Sequence, residues 1–139
     1  MKAKYWTFLV YLDSAPYNWR ELLNDTNVAL AISPIHDQDL TENGELKKAH
    51  YHIVLAFPNT TTYNNALEIA KLCNANIIKK VYSMNAIYEY LTHSNEKDKH
   101  HYDVKDIILM NNFNLNEYDV STRKSEELND FKSLIFIII

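Results

Sequence analysis

A chain of 139 residues, 47% apolar and 12% aromatic, is long enough for one packed domain and too short for two comfortable ones. Its single cysteine, Cys73, excludes an internal disulfide and leaves no partners for a thiolate zinc cluster. A net charge of −4 argues against coating long duplex DNA, yet Lys47-Lys48, Lys79-Lys80, and Lys97, Lys99 and Lys105 with His100 and His101 form local basic clusters able to hold a short strand.

Residues 5–12 are a β-branched and aromatic run that predicts a buried strand, stopped by the turn residues 13–16. Trp19, Leu22 and Leu23 at helical spacing predict a short helix over 18–23, and 28–32 a second strand closed by Pro34. Residues 36–48 turn polar, hold Gly44, the chain's one glycine, and predict a hairpin-like connection. A third strand over 50–57 ends at Pro58. Within 59–62 lies a helix N-cap, followed by an amphipathic helix carrying Ala66, Leu67, Ile69, Ala70 and Leu72. A fourth strand is expected over 77–82, a helix over 86–92 capped by Ser83 or Asn85, and a charged loop over 94–101. Residues 103–110 and 126–139 carry two weaker helical patterns separated by an Asn-rich loop.

The order β-α-β-β-α-β matches the split βαβ arrangement of the ferredoxin-like plan. An α+β fold is therefore expected, with a central antiparallel sheet and helices on one face. The first eleven residues lack a signal peptide's pattern, and the closing run Leu134 to Ile139 is far below the roughly 20 residues that span a bilayer. A cytoplasmic protein with no membrane partner is expected.

On a strand, residues two apart project from one face, so His50 and His52 of His50-Tyr51-His52 can reach one ion. His36, Asp37 and Asp39 sit where the second strand ends. If the second and third strands pair as a hairpin, residues near His36 lie opposite residues near His50, and three histidines meet a carboxylate. Imidazole suits first-row divalent metals, and a carboxylate widens the choice toward manganese or magnesium. A third signal is 88–93, where Tyr90 and His93 share a helical face while Tyr88 points to a different side, so that only one of the two tyrosines faces a site on the sheet. A phenol, with a pKa of about 10, needs positive charge nearby to act as a nucleophile at neutral pH.

The blocks ISPIHDQD, KKAHYHIV and YEYLTH, with the later KHHYDVKDI and NNF, resemble those of rolling-circle replication initiators from small plasmids of Gram-positive bacteria, members of the HUH endonuclease superfamily. The resemblance runs from about Tyr5 to Phe113. It implies the HUH endonuclease fold, with His36 and Asp39 as the first pair of metal ligands, His50 and His52 as the second, and Tyr90 as the catalytic tyrosine. Asp37 is not a ligand in that pattern, and Tyr88 is the fallback nucleophile. Manganese is the ion expected, with magnesium the alternative, and Lys47, Lys48, Lys97 and Lys99 are candidates for phosphate contacts.

The implied activity is nicking of a plasmid origin through a 5′-phosphotyrosyl intermediate. Its partners would be origin DNA, double-stranded and single-stranded at the nick site, a host helicase and polymerase, and further copies in a homo-oligomer. Residues 1–125 would form the nuclease and origin-binding domain, and 126–139 a helical tail beginning an oligomerisation domain absent from this chain. The rival readings are a truncated, non-catalytic origin-binding repressor, another nucleic-acid-binding module, and a transposase or relaxase of the same superfamily. An RNA-recognition domain needs a Gly-aromatic strand motif that a chain with one glycine cannot supply.

Overall fold

The computed structural model describes residues 2–84, 87–93 and 99–114, and of Tyr88 the backbone alone. Apolar residues alternate along the first strand, β1 (Lys2–Tyr11), so that Trp6, Phe8 and Val10 are buried on one face. After helix α1 (Trp19–Asn24) come β2 (Ala29–Ile32) and the long β3 (His50–Thr62). Next are α2 (Tyr63–Leu72), the short β4 (Lys79–Lys80), α3 (Ile87–Thr92), a 3-10 turn (Val104–Asp106) and β5 (Ile108–Met110).

The sheet order is β4-β1-β3-β2-β5, with every neighbouring pair antiparallel. β3 lies between β1 and β2, which gives the split βαβ topology expected for a ferredoxin-like α+β fold. Trp6, Phe8, Val10, Leu30, Ile32, Ile53 and Leu55 bury their side chains against Trp19 and Leu23 of α1 and Ala66 and Ala70 of α2. Each large apolar side chain so buried contributes about 1.5–3 kcal/mol. The hydroxyl oxygen of Thr62 caps α2 by accepting the Asn65 N–H at 3.1 Å.

Helices on one face describes α1 and α2, whereas α3 packs on the other. Ile87 and Leu91 of α3, with Met84 and Phe113, cover Ala31 and Val54. The physical reason is in β3: Ile53, Val54 and Leu55 are consecutive and all fully buried, so both faces of the central strand need a cover. Proline 58 does not end β3. Across it the β1 register jumps from Tyr5↔Ala56 to Ala3↔Thr61, so four β3 residues oppose Lys4 alone, and the missing proline N–H falls in this irregularity.

Of residues 103–110, only 104–106 are helical, as a single 3-10 turn, and 108–110 form a strand where the weak periodicity predicted helix. Asp103 caps the 3-10 turn, its carboxylate accepting the Lys105 N–H at 3.0 Å, and β5 then pairs Met110 with Leu30 and Ile108 with Ile32. The open edge of β2 offers unpaired backbone groups and an apolar surface, and a tertiary partner of that kind outweighs local propensity. The helical pattern and tail expected over 126–139 lie outside the described residues. Among the described residues no helix is long and apolar enough to cross a membrane.

Candidate metal centre

The hairpin between β2 and β3 brings the first two sequence clusters together. His36 and His50 pair across it through two backbone bonds, His36 N–H to the His50 carbonyl at 2.8 Å and the reverse at 3.1 Å. Farther out, Leu40 bridges Leu46, and the turn is closed by the Thr41 N–H on the Glu45 carbonyl at 2.7 Å. Gly44 sits in that turn at φ +82°, a conformation that side-chain-bearing residues resist. The buried Ser33 hydroxyl accepts the His52 N–H at 2.9 Å and donates to the Pro34 carbonyl, fixing where the chain leaves β2.

His36, Asp39, His50 and His52 each offer one donor atom, and these atoms lie within 4.8 Å of one another. The outer nitrogens of two of the imidazoles are occupied by carbonyls. His36 Nε2–H donates to the Leu91 carbonyl at 2.8 Å, and His50 Nδ1–H to the Lys48 carbonyl at 2.7 Å, since a carbonyl can only accept. In neutral imidazoles this leaves His36 Nδ1 and His50 Nε2 as lone pairs, and they face Asp39 Oδ2 at 3.0 and 3.4 Å. His52 Nε2 is buried and has no hydrogen-bond partner among the described residues.

Three nitrogen lone pairs turned toward one carboxylate repel unless a cation stands among them, and the outer carbonyl contacts are the kind that orient metal-ligating histidines. The donor set, three imidazoles and a carboxylate, fits a first-row divalent ion. Burial, and then the neighbouring imidazoles of His36, His50 and His93, hold His52 down to about 2, so its ring stays neutral and able to ligate. Burial alone would raise the Asp39 carboxyl. The opposing effects, of which the hydrogen bond donated by the Tyr102 hydroxyl is the largest, outweigh it and hold the group below the ordinary carboxylate range.

Two members of the cluster were not among the expected site residues. Tyr102 stacks on His36 with ring centroids 4.1 Å apart, donates its hydroxyl to Asp39 Oδ1 at 2.7 Å and accepts the Gln38 N–H at 3.1 Å. Burial, and then the bond to Asp39, push its phenol above the ordinary range, so it stays a protonated donor. His93 brings Nδ1 to 3.6 Å from Asp39 Oδ1. Its sequence signal was the face it shares with Tyr90, and that of Tyr102 was its place in the KHHYDVKDI block.

Tyr90 stands at the edge of the cluster. Its hydroxyl lies 3.4 Å from His52 Nδ1 and 3.3 Å from Thr7 Oγ1 of β1. The open cleft in front, about 1210 Å³, is lined by Lys47, Lys48 and Lys99 as well as by Asp39, His50, His52 and Tyr90. Lys48 also pairs with Asp13 at 3.3 Å. Asp37 is exposed and is not one of the four clustered residues. Lys97 and the Tyr88 side chain lie outside the described residues.

Residues 1–116 match the family model described as plasmid replication protein, origin binding domain. The chain is 37% identical to Replication protein RepB of Streptococcus agalactiae, over 96% of this chain and 70% of that protein. It is 33% identical to Replication protein RepB of Lactiplantibacillus plantarum, over 82% of this chain and 51% of that one. With a Replication protein of Staphylococcus aureus the identity is 29%, over 84% and 58% respectively. The chain therefore spans between 51% and 70% of the length of these relatives.

Proposed function

The chain belongs to the family of plasmid replication proteins with an origin-binding domain, and on that premise we propose that it nicks one strand of its plasmid's origin, with Tyr90 as nucleophile and a divalent ion held by His36, Asp39, His50 and His52. The observation that carries this reading is the shared imidazole: His52 turns one nitrogen into the four-donor cluster and the other toward the Tyr90 hydroxyl at 3.4 Å.

When bound, manganese or magnesium supplies positive charge that polarises the scissile phosphate and favours its attack. The Tyr90 oxygen forms a bond to phosphorus as the bond from phosphorus to the 3′ oxygen breaks. The phenolic proton passes to solvent, and the departing 3′ oxygen takes up a proton. His52 Nδ1–H donates to the phenolic oxygen as it gains negative charge. Lys47, Lys48, Lys97 and Lys99 hold flanking phosphates. The product is a 5′-phosphotyrosyl ester and a free 3′-hydroxyl, a primer for a host polymerase, and the retained ester energy lets the strand be rejoined without ATP. Binding of the duplex origin, assembly as a homo-oligomer, cooperation with a host helicase and a nuclease boundary near residue 125 are proposed on the same family footing.

The test incubates the chain with manganese and a single-stranded oligonucleotide carrying the cognate nick site, then runs a denaturing protein gel. A covalent adduct abolished by EDTA and by Tyr90→Phe is expected. Loss with Tyr88→Phe in place of Tyr90→Phe would move the nucleophile. Tight origin binding with no adduct would leave a repressor.

A further inference from the structure

We infer that Thr7 is a positioning residue for the nucleophile, its side-chain oxygen accepting a hydrogen bond from the Tyr90 hydroxyl and so turning the tyrosine's lone pairs toward His52 and the cleft. The inference rests on the nicking reading above and names a residue that reading does not use.

Thr7 lies mid-strand in β1, opposite Val54 of β3, on the sheet face that α3 covers. Its Oγ1 is 2.8 Å from the Ile53 carbonyl and 3.3 Å from the Tyr90 hydroxyl. A hydroxyl has one proton to give and two lone pairs to accept with. The Ile53 carbonyl can only accept, so the Thr7 proton is committed to it, and toward Tyr90 the threonine oxygen can only accept. The Tyr90 proton then points at Thr7, and the lone pair on Tyr90 faces His52 Nδ1 at 3.4 Å.

The consequence reaches the metal centre. A favourable contact with that lone pair requires the proton of a neutral His52 on Nδ1, which leaves Nε2 as the lone pair. Nε2 is the buried atom with no hydrogen-bond partner among the described residues. One directional chain, from Tyr90 to Thr7 to the β3 backbone, thus sets the nucleophile's orientation and the His52 tautomer together. Tyr90 needs such an anchor: it is 41% exposed and stands on a helix of six residues. An untethered phenol could swing into the cleft, and small misplacements of a reacting group are costly.

Thr7→Val keeps the β-branched shape and removes the acceptor, while Thr7→Ser keeps the oxygen. With manganese and the nick-site oligonucleotide at saturation, Thr7→Val should form adduct about tenfold more slowly than wild type, the worth of one well-placed hydrogen bond. Oligonucleotide Kd should be unchanged, and Thr7→Ser should recover most of the rate. In metal-free protein, nitrogen-15 NMR should find neutral His52 protonated on Nδ1 in wild type and Thr7→Ser, and as a mixture of the two neutral tautomers in Thr7→Val. Thermal unfolding of all three separates a folding defect from a positioning one.

Equal adduct rates in wild type and Thr7→Val, or an Nε2-protonated His52 in wild type, would overturn the role of Thr7 while leaving the nicking reading in place. No adduct from wild type would overturn the nicking reading itself, and the catalytic meaning of Thr7 with it.

Discussion

The His52 ring is kept neutral because its Nε2 side is buried, which disfavours the charged form, and because the imidazoles of His36, His50 and His93 stand close to it. That makes the metal-free protein sensitive to acid in a definite direction. The folded ring resists protonation down to about 2, whereas an unfolded imidazole titrates near 6.5. Below about 6.5 the unfolded chain binds a proton that the folded chain does not, so stability falls as the pH falls, by about 1.4 kcal/mol per pH unit for this group. Asp39 works in a lower window: its stabilisation is present above the unfolded carboxylate value of 3.8 and is lost as the pH drops through its depressed folded value. Urea unfolding in EDTA at pH 7.5, 6.5 and 5.5 should show the first loss, and His52→Gln should flatten it. A wild-type curve level from 7.5 to 5.5 would contradict the buried neutral ring.

At the scale of elements, α3 decides whether there is a site. Six residues are too few for a helix to persist by its own hydrogen bonds, so its stability comes from packing. Leu91 is fully buried among Ala31, Val54, Ile87 and Phe113, and its backbone carbonyl receives the His36 Nε2–H. The same turn carries Tyr90, so one seat on the sheet locates the proposed nucleophile and orients a candidate ligand. Leu91→Ala should cost about 2–5 kcal/mol in urea unfolding. Under conditions where the variant is still folded, its adduct formation should fall well below that of wild type. An activity that simply followed the folded fraction would show that α3 finds its place without this contact.

Across the whole molecule, the cluster draws on residues from 36 to 102, so a cation bound there would couple its binding to folding. An ion that binds the native cluster and not the unfolded chain should stabilise by about 2.7 kcal/mol at a hundredfold excess over its Kd. Thermal or urea unfolding with and without manganese measures this, and Asp39→Ala should abolish the increment, because without the carboxylate the imidazoles lack their anionic partner. An equal increment in that variant would place the binding elsewhere. The net charge of −4 is compatible with the proposed nicking of a short strand, since Lys47, Lys48 and Lys99 line the cleft.

Periodicity alone predicted the strand pattern of Trp6, Phe8 and Val10, the common face of His50 and His52, and the hairpin that sets His36 against His50, because each depends on neighbours in the chain or across one turn. The ferredoxin-like order of elements was legible for the same reason. Residues 103–110 misled, since a weak helical pattern could not reveal the open edge of β2 that makes 108–110 a strand. Nor could local pattern show that α3 packs on the second face of the sheet, where the central strand's continuous burial demands a cover. Tyr102 reaches Asp39 from 63 positions away, and Thr7 meets Tyr90 across 83. Contacts at such separations leave no period to read: they exist only once the sheet has closed and both of its faces have been packed.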